Sequence, residues 1–341
     1  MKRTAFKNVV AYDPALAPCR IDLSDNTNLW GAPPSARAAI EFVDSAALTR
    51  YPAPYTRDLV RCFAKYLGVD PGMVIAGCGS DDLLDSAIRA FGEPGSTLAQ
   101  FDPTFGMVRV FATVNGLSVA AIPRSAENAI DALIDAKAGV TYLCSPNNPT
   151  GEVLDTSTIE SIVETAKGVV ILDEAYAEFA GVSSIGLLAR HDNLLITRTM
   201  SKAFGLAGMR IGFAVGSPAI ICEVEKSRGP YMVTSLAERA GIAVLENDLG
   251  WVSEKVEAVR QNRERFTNGL KDIGLDPLPG AANFVLIPVT DSRRISARLI
   301  SAGIAVRQFD NLTGFGDALR ISIGPWPMMQ ECLAALQSAV Q

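Results

Sequence analysis

The sequence predicts an α/β protein: a mainly parallel, doubly wound sheet followed by a smaller α+β domain. Three observations carry this reading. Short apolar runs recur between residues 73 and 215, most of them separated by helical periodicity, the alternation that covers a parallel sheet on both faces. The run Val169-Val170-Ile171-Leu172 is apolar throughout, as a strand buried on both faces must be, and it ends on a carboxylate, Asp173. At 341 residues the chain is too long for one small core, so two domains are expected.

Taken in order, residues 1–31 read as an irregular arm, closing on the turn-rich Asp25-Asn26-Thr27-Asn28-Leu29-Trp30-Gly31-Ala32-Pro33-Pro34. Residues 35–47 have helical periodicity with Ser35 as N-cap, and 56–67 form an amphipathic pattern stopped by Gly68. A short strand at 73–76 leads through Gly77-Cys78-Gly79-Ser80-Asp81-Asp82 into a helix over 83–91. Strands follow at 97–100, 118–122, 141–144, 169–172, 194–197 and 211–215. One long helical pattern, 235–270, bridges to strands near 283–288, 304–307 and 318–323 and a last helix over 328–340. The division is therefore an arm at 1–31, a large domain at 32–245 and a small domain at 246–341.

Composition excludes several classes. Apolar residues make up 48% and charged residues 20%, as in a soluble globular protein. Net charge is −6 with no long basic run, so neither nucleic acid nor an anionic membrane is an expected partner. The cysteines (Cys19, Cys62, Cys78, Cys144, Cys222, Cys332) lack C-x-x-C spacing and read as reduced, mostly buried residues of a cytoplasmic protein. The N-terminus is basic without a sustained apolar stretch, so no signal peptide is expected, and no apolar window is long enough to cross a bilayer. His191 is the single histidine and lies in the polar turn Arg190-His191-Asp192-Asn193, read as a solvated loop. Histidine-dependent triads and histidine-based zinc sites fall with it, and no metal is expected.

Lys202 stands in Thr199-Met200-Ser201-Lys202, just after the apolar run Asn193-Leu194-Leu195-Ile196, with Arg210 eight residues on. A lysine at a strand exit, partly desolvated and beside cationic character, can react with a carbonyl; two hydroxyls and an arginine suit a phosphate. Gly77-Cys78-Gly79-Ser80-Asp81-Asp82 is no dinucleotide fingerprint, because G-x-G-x-x-G needs glycine where Asp82 stands. What remains is a turn whose Gly79, Ser80 and Asp81 amides converge on an anion position at the helix start. Asp173, at the carboxyl end of a buried strand, needs a cationic partner.

With Ser145-Pro146-Asn147-Asn148-Pro149-Thr150-Gly151 and Asp173-Glu174-Ala175-Tyr176, these motifs resemble the fold-type I pyridoxal-phosphate aminotransferases, in particular the histidinol-phosphate aminotransferase group, over residues 22–324. The resemblance implies pyridoxal 5'-phosphate as cofactor and Lys202 as its Schiff-base lysine. It assigns the cofactor phosphate to Gly79, Ser80, Asp81, Thr199, Ser201 and Arg210, ring stacking to Phe105, and the phenolic oxygen to Asn148 and Tyr176. Asp173 pairs with the pyridine nitrogen. Tyr51, in Arg50-Tyr51-Pro52, reaches the phosphate of a neighbouring subunit, which implies a homodimer with shared sites. Arg320 and Arg307 take the substrate carboxylate or phosphate. The family's arm, N-E-N-P-Y/L-G, is here Asn26-Thr27-Asn28-Leu29-Trp30-Gly31: the glutamate and proline are missing, and Asn28 and Trp30 fall on the substrate side. The implied reaction is ping-pong transamination of histidinol phosphate with 2-oxoglutarate. Threonine-phosphate decarboxylation or another amino-acid transamination is the alternative within the fold; a non-catalytic sensor or a nucleotide-binding dehydrogenase stands further off.

Overall fold

The computed structural model describes residues 19–41 and 43–341, together with Phe6, Val9 and Ala11. The described residues form eleven strands: β1 Ile21–Leu23, β2 Val74–Cys78, β3 Thr97–Asp102, β4 Ser118–Pro123, β5 Val140–Cys144, β6 Val169–Asp173, β7 Leu194–Thr199, β8 Ile211–Gly216, β9 Phe284–Pro288, β10 Ile304–Leu312 and β11 Gly316–Ser322.

Seven of them make one sheet in the order β2-β8-β7-β6-β5-β3-β4. The pairs from β7 through β4 are parallel, and β8 alone runs antiparallel to both its neighbours. Period-two alternation divides the core. Leu98, Tyr142, Ile171, Leu195 and Ala214 belong to one apolar cluster; Ala99, Leu143, Leu172, Ile196 and Phe213 belong to the other. Helices Gly79–Phe91, Met107–Val114 and Pro218–Lys226 contribute to the first cluster, and Arg57–Leu67, Thr156–Thr165 and Ser235–Asn247 to the second. A sheet covered on both faces leaves its strand ends as the place for a ligand. The second sheet has the order β1-β10-β11-β9, with helices Ser292–Ser301 and Trp326–Val340 packed on it.

Four local expectations are corrected. The arm is not wholly irregular: β1 pairs in parallel with β10, and buried Ile21 and Leu23 flank exposed Asp22, so the alternation of a one-sided strand is compressed into three residues. Ser35 is no N-cap. It lies inside helix Pro34–Glu41, and its amide and hydroxyl both donate to Asp248 Oδ2, at 2.8 and 2.5 Å. That same Asp248, with a non-helical backbone (φ −117°, ψ 15°), divides the long helical pattern into Ser235–Asn247 and Leu249–Asp272. The helix expected from residue 83 starts at Gly79, because β2 runs on through Cys78.

His191 is not solvated either: its side chain is 12% exposed and its Nε2 lies 3.0 Å from Glu160 Oε1. With Glu164 it brings three possible ligand atoms within 4.8 Å, but Glu160 is already engaged by Arg190 at 2.7 Å. The cysteines are free, with Cys144 and Cys332 buried, Cys222 exposed and the other three half-buried, a more exposed set than expected.

Candidate active site

Lys202, Asp173 and Asn148 stand at or just beyond the carboxyl ends of β7, β6 and β5. Lys202 follows β7 by three residues and is half-buried. Its Nζ donates to the backbone oxygen of Asp25 at 2.9 Å, so the arm lies directly over the lysine. Burial, and then the Arg320 guanidinium, press the Lys202 ammonium down to about 8, against the opposing pull of Asp25 and Asp81. A good fraction is therefore the neutral, nucleophilic amine at neutral to mildly alkaline pH.

Asp173 ends β6 and is 3% exposed. Tyr142 donates to its Oδ2 at 3.0 Å, while the Ala175 amide and the Thr197 hydroxyl donate to Oδ1 at 3.2 and 3.3 Å. Burial raises its carboxyl to about 6, the Tyr142 hydrogen bond opposing the rise. No cationic side chain pairs with it among the described residues. A buried carboxylate held by three donors, with no counter-ion from the protein, fits a ligand that carries a positive nitrogen. Tyr142 and Thr197 were missed in the sequence, although a tyrosine or threonine in a buried strand signals a buried polar partner. The neighbouring residues on the other face, Glu174 and Arg198, form a buried ion pair (2.7 Å) that includes Glu178 (3.1 Å) and ties the ends of β6 and β7 together.

Helix Gly79–Phe91 opens at the edge of the same cluster. Gly79 has φ +79°, and a Cβ there would stand 2.6 Å from Arg210 Nη2; one on Gly212 would stand 2.4 Å from the Ser80 amide. The two glycines let β8, the helix start and the Arg210 guanidinium converge. Arg210, itself at φ 52°, reaches Asp81 (3.4 Å) and Ser201 Oγ (3.5 Å). Thr199 Oγ1 donates to Ser201 Oγ at 2.9 Å and accepts from the Ser201 amide at 3.1 Å, so Thr199 orients the Ser201 hydroxyl. Asp82 turns away from this cradle to a buried pair with Arg228 at 2.9 Å. A helix start, two hydroxyls and a guanidinium at one point fit a phosphate.

The second sheet supplies the other wall. Arg320 on β11 donates through Nη1 to Asn148 Oδ1 and through Nη2 to Ser24 O at 2.7 Å, with its guanidinium 5.3 Å from the Phe284 ring centre. Arg307 on β10 is its cross-strand partner. Tyr176 is buried, and its hydroxyl accepts from Asn26 Nδ2 at 3.0 Å. Burial pushes the Tyr176 phenol up, with the Arg320 charge opposing. Asn26, absent from the expected site, is 1% exposed at φ 60°, a conformation that asparagine tolerates better than most residues. Asn28 donates to Ala203 O at 3.2 Å and accepts from the Trp30 amide at 3.0 Å. Trp30 packs half-buried against the main core, and Phe105 against the second cluster. Tyr51 stands on the surface, 83% exposed and stacked on Tyr231 at 4.9 Å.

Comparison with known proteins shows the family. The family model for aminotransferases of class I and II matches residues 20–336. The chain belongs to that family. It is a pyridoxal-phosphate-dependent aminotransferase of fold type I. It is 33% identical to a histidinol-phosphate aminotransferase of Caldanaerobacter subterraneus subsp. tengcongensis over 93% of this chain and 92% of the relative. It is 37% identical to the one from Roseiflexus castenholzii over 89% and 85%. Among solved structures, histidinol-phosphate aminotransferase from Sinorhizobium meliloti, in complex with pyridoxal 5'-phosphate, superposes with a TM-score of 0.90 at 26% identity, covering 99% of this chain and 96% of that one.

Proposed function

We propose that this aminotransferase acts on histidinol phosphate, with 2-oxoglutarate as the acceptor that completes a ping-pong cycle, as a cytoplasmic homodimer. The observation that carries the substrate assignment is the cross-strand pair Arg307 and Arg320, two cations on one face of the second sheet beside Asn148 and the arm. Such a pair suits a phosphate in one half-reaction and carboxylates in the other.

Bound pyridoxal phosphate supplies a carbonyl that takes up an amino group and a ring that withdraws electrons from the reacting carbon. The chain's residues do the rest. Lys202 holds the cofactor and moves a proton to and from the substrate carbon. Its depressed ammonium makes the amine available near pH 8. Asp173, kept ionised by its three donors, holds the positive charge on the pyridine nitrogen. Asn148 and Tyr176 donate to the phenolic oxygen. Gly79, Ser80, Asp81, Ser201 and Arg210 hold the phosphate, with Thr199 fixing Ser201; Phe105 packs on the ring; and Tyr51 reaches across the dimer. Asn28 and Trp30 shape the substrate side of the arm. A screen of candidate amines against holoenzyme, following the cofactor's visible absorption, tests the assignment. Histidinol phosphate should react fastest; equal rates with unphosphorylated amino acids would replace it by a general amino-acid aminotransferase.

A further inference from the structure

A hydroxyl has one proton to donate and two lone pairs that accept. Which role the Tyr176 hydroxyl plays toward a ligand depends on what its protein neighbour offers. Here that neighbour is Asn26, whose Nδ2 donates to the Tyr176 oxygen at 3.0 Å. An amide can turn over and present its oxygen instead, but this one is pinned: Ser322 Oγ donates to Asn26 Oδ1 at 3.2 Å and accepts from the Asn26 backbone amide at 2.9 Å. Asn283 Nδ2 holds the Asn26 carbonyl at 2.9 Å. The residue is buried, 1% exposed.

We infer that Asn26, with its amide fixed by Ser322, is a positioning residue that keeps the Tyr176 hydroxyl in the donor role toward the cofactor's phenolic oxygen. With one lone pair filled by Asn26, the hydroxyl proton has no acceptor on that side and is left for the ligand. Arg320, two residues before Ser322 on the same strand, likewise donates to Asn148 Oδ1 and fixes which end of that amide accepts. One face of β11 thus sets the polarity of both groups assigned to the phenolic oxygen, a link that runs from the second sheet through the arm into the site. The inference rests on the role proposed for Tyr176, so its test carries a control for that role.

The measurement is the pH titration of the visible absorption of purified holoenzyme, which reads the proton on the Lys202 nitrogen joined to the cofactor. A donor on the phenolic oxygen stabilises its negative charge and loosens that proton, so losing the donor moves the midpoint to higher pH. Tyr176→Phe should raise the midpoint by roughly half to one pH unit, the worth of one hydrogen bond. Asn26→Asp, near-isosteric and tolerant of the same backbone, offers Tyr176 only acceptors and should raise it at least as far. Ser322→Ala frees the amide to turn and should raise it by a smaller amount; it alters no charge, so its shift cannot be Coulombic. If Tyr176→Phe moves the midpoint while both Asn26→Asp and Ser322→Ala titrate with wild type, the positioning role is overturned and the Tyr176 assignment stands. If Tyr176→Phe itself leaves the midpoint unmoved, both are overturned.

Discussion

Arg307 and Arg320 stand directly opposite each other on the antiparallel strands β10 and β11, so their side chains leave the same face of the sheet. Like charges so placed repel, and an anion between them relieves the repulsion. Arg320 also donates to Asn148, so under the proposed function it bears on cofactor and substrate together. Arg320→Ala should damage both half-reactions, and Arg307→Ala chiefly the one with the phosphorylated substrate. Loss of a charge-assisted contact lowers kcat/KM by roughly ten- to a hundred-fold or more. Single-turnover rates for each half-reaction check this; an Arg307→Ala enzyme with unchanged histidinol phosphate kinetics would remove the phosphate from that side.

The state of Lys202 gives a pH dependence with a definite sign. Its folded value of about 8 lies below the ordinary 10.5. Between those two values the unfolded chain binds the proton and the folded chain does not, so stability rises with pH across that window; below about 8 the cost of the buried charge is felt in full. Cofactor-free Lys202→Met protein should therefore melt higher than cofactor-free wild type at pH 7, with the gain shrinking as pH rises from about 8 to 10.5. Thermal melts across pH 7 to 10.5 check it. A gain that grew with pH would mean the ammonium is not destabilised by its site.

Much of this was legible in the sequence, for reasons that particular residues make plain. The placement of Lys202, Asp173 and the Gly79 turn just at or beyond strand ends was legible, because strand ends in a doubly wound sheet follow from apolar runs that stop on a polar residue. Asn26, Tyr142 and Thr197 were not found, because their roles depend on which strands become neighbours. Tyr142 meets Asp173 only through the β5–β6 register, and Asn26 meets Tyr176 only when the arm folds over β11. Asp248 was invisible for a similar reason: helical periodicity continues across it, and its break is fixed by a contact with Ser35, 213 positions away.

Arg198 shows how the site's frame is held. It is buried between Glu174 and Glu178, and burial raises the Glu178 carboxyl with Arg198 opposing the rise. Removing the guanidinium leaves two carboxylates without a counter-charge, a loss of the kind that costs about 3–5 kcal/mol. Arg198→Ala should be strongly destabilised in urea or heat, whereas Arg198→Met with Glu174→Gln and Glu178→Gln should recover part of the loss. A single Arg198→Ala variant as stable as wild type would show that the pair contributes nothing to the frame.

Tyr51 is 83% exposed on the isolated chain, an unusual position for a residue with an assigned ligand contact. In a dimer with shared sites, Tyr51→Phe should weaken cofactor retention by about 1 kcal/mol, one hydrogen bond's worth, without altering subunit association. Cofactor dissociation followed by gel filtration and absorbance checks both. Full activity in a monomer at high dilution would remove Tyr51 from the site.

The most direct measurement is the first half-reaction itself. Holoenzyme mixed with an excess of histidinol phosphate, without acceptor, should lose its visible cofactor absorption in a single turnover and regain it when 2-oxoglutarate is added. Lys202→Ala holoprotein should do neither at a comparable rate. A wild-type spectrum that histidinol phosphate leaves unchanged, while another amine discharges it, would contradict the assignment.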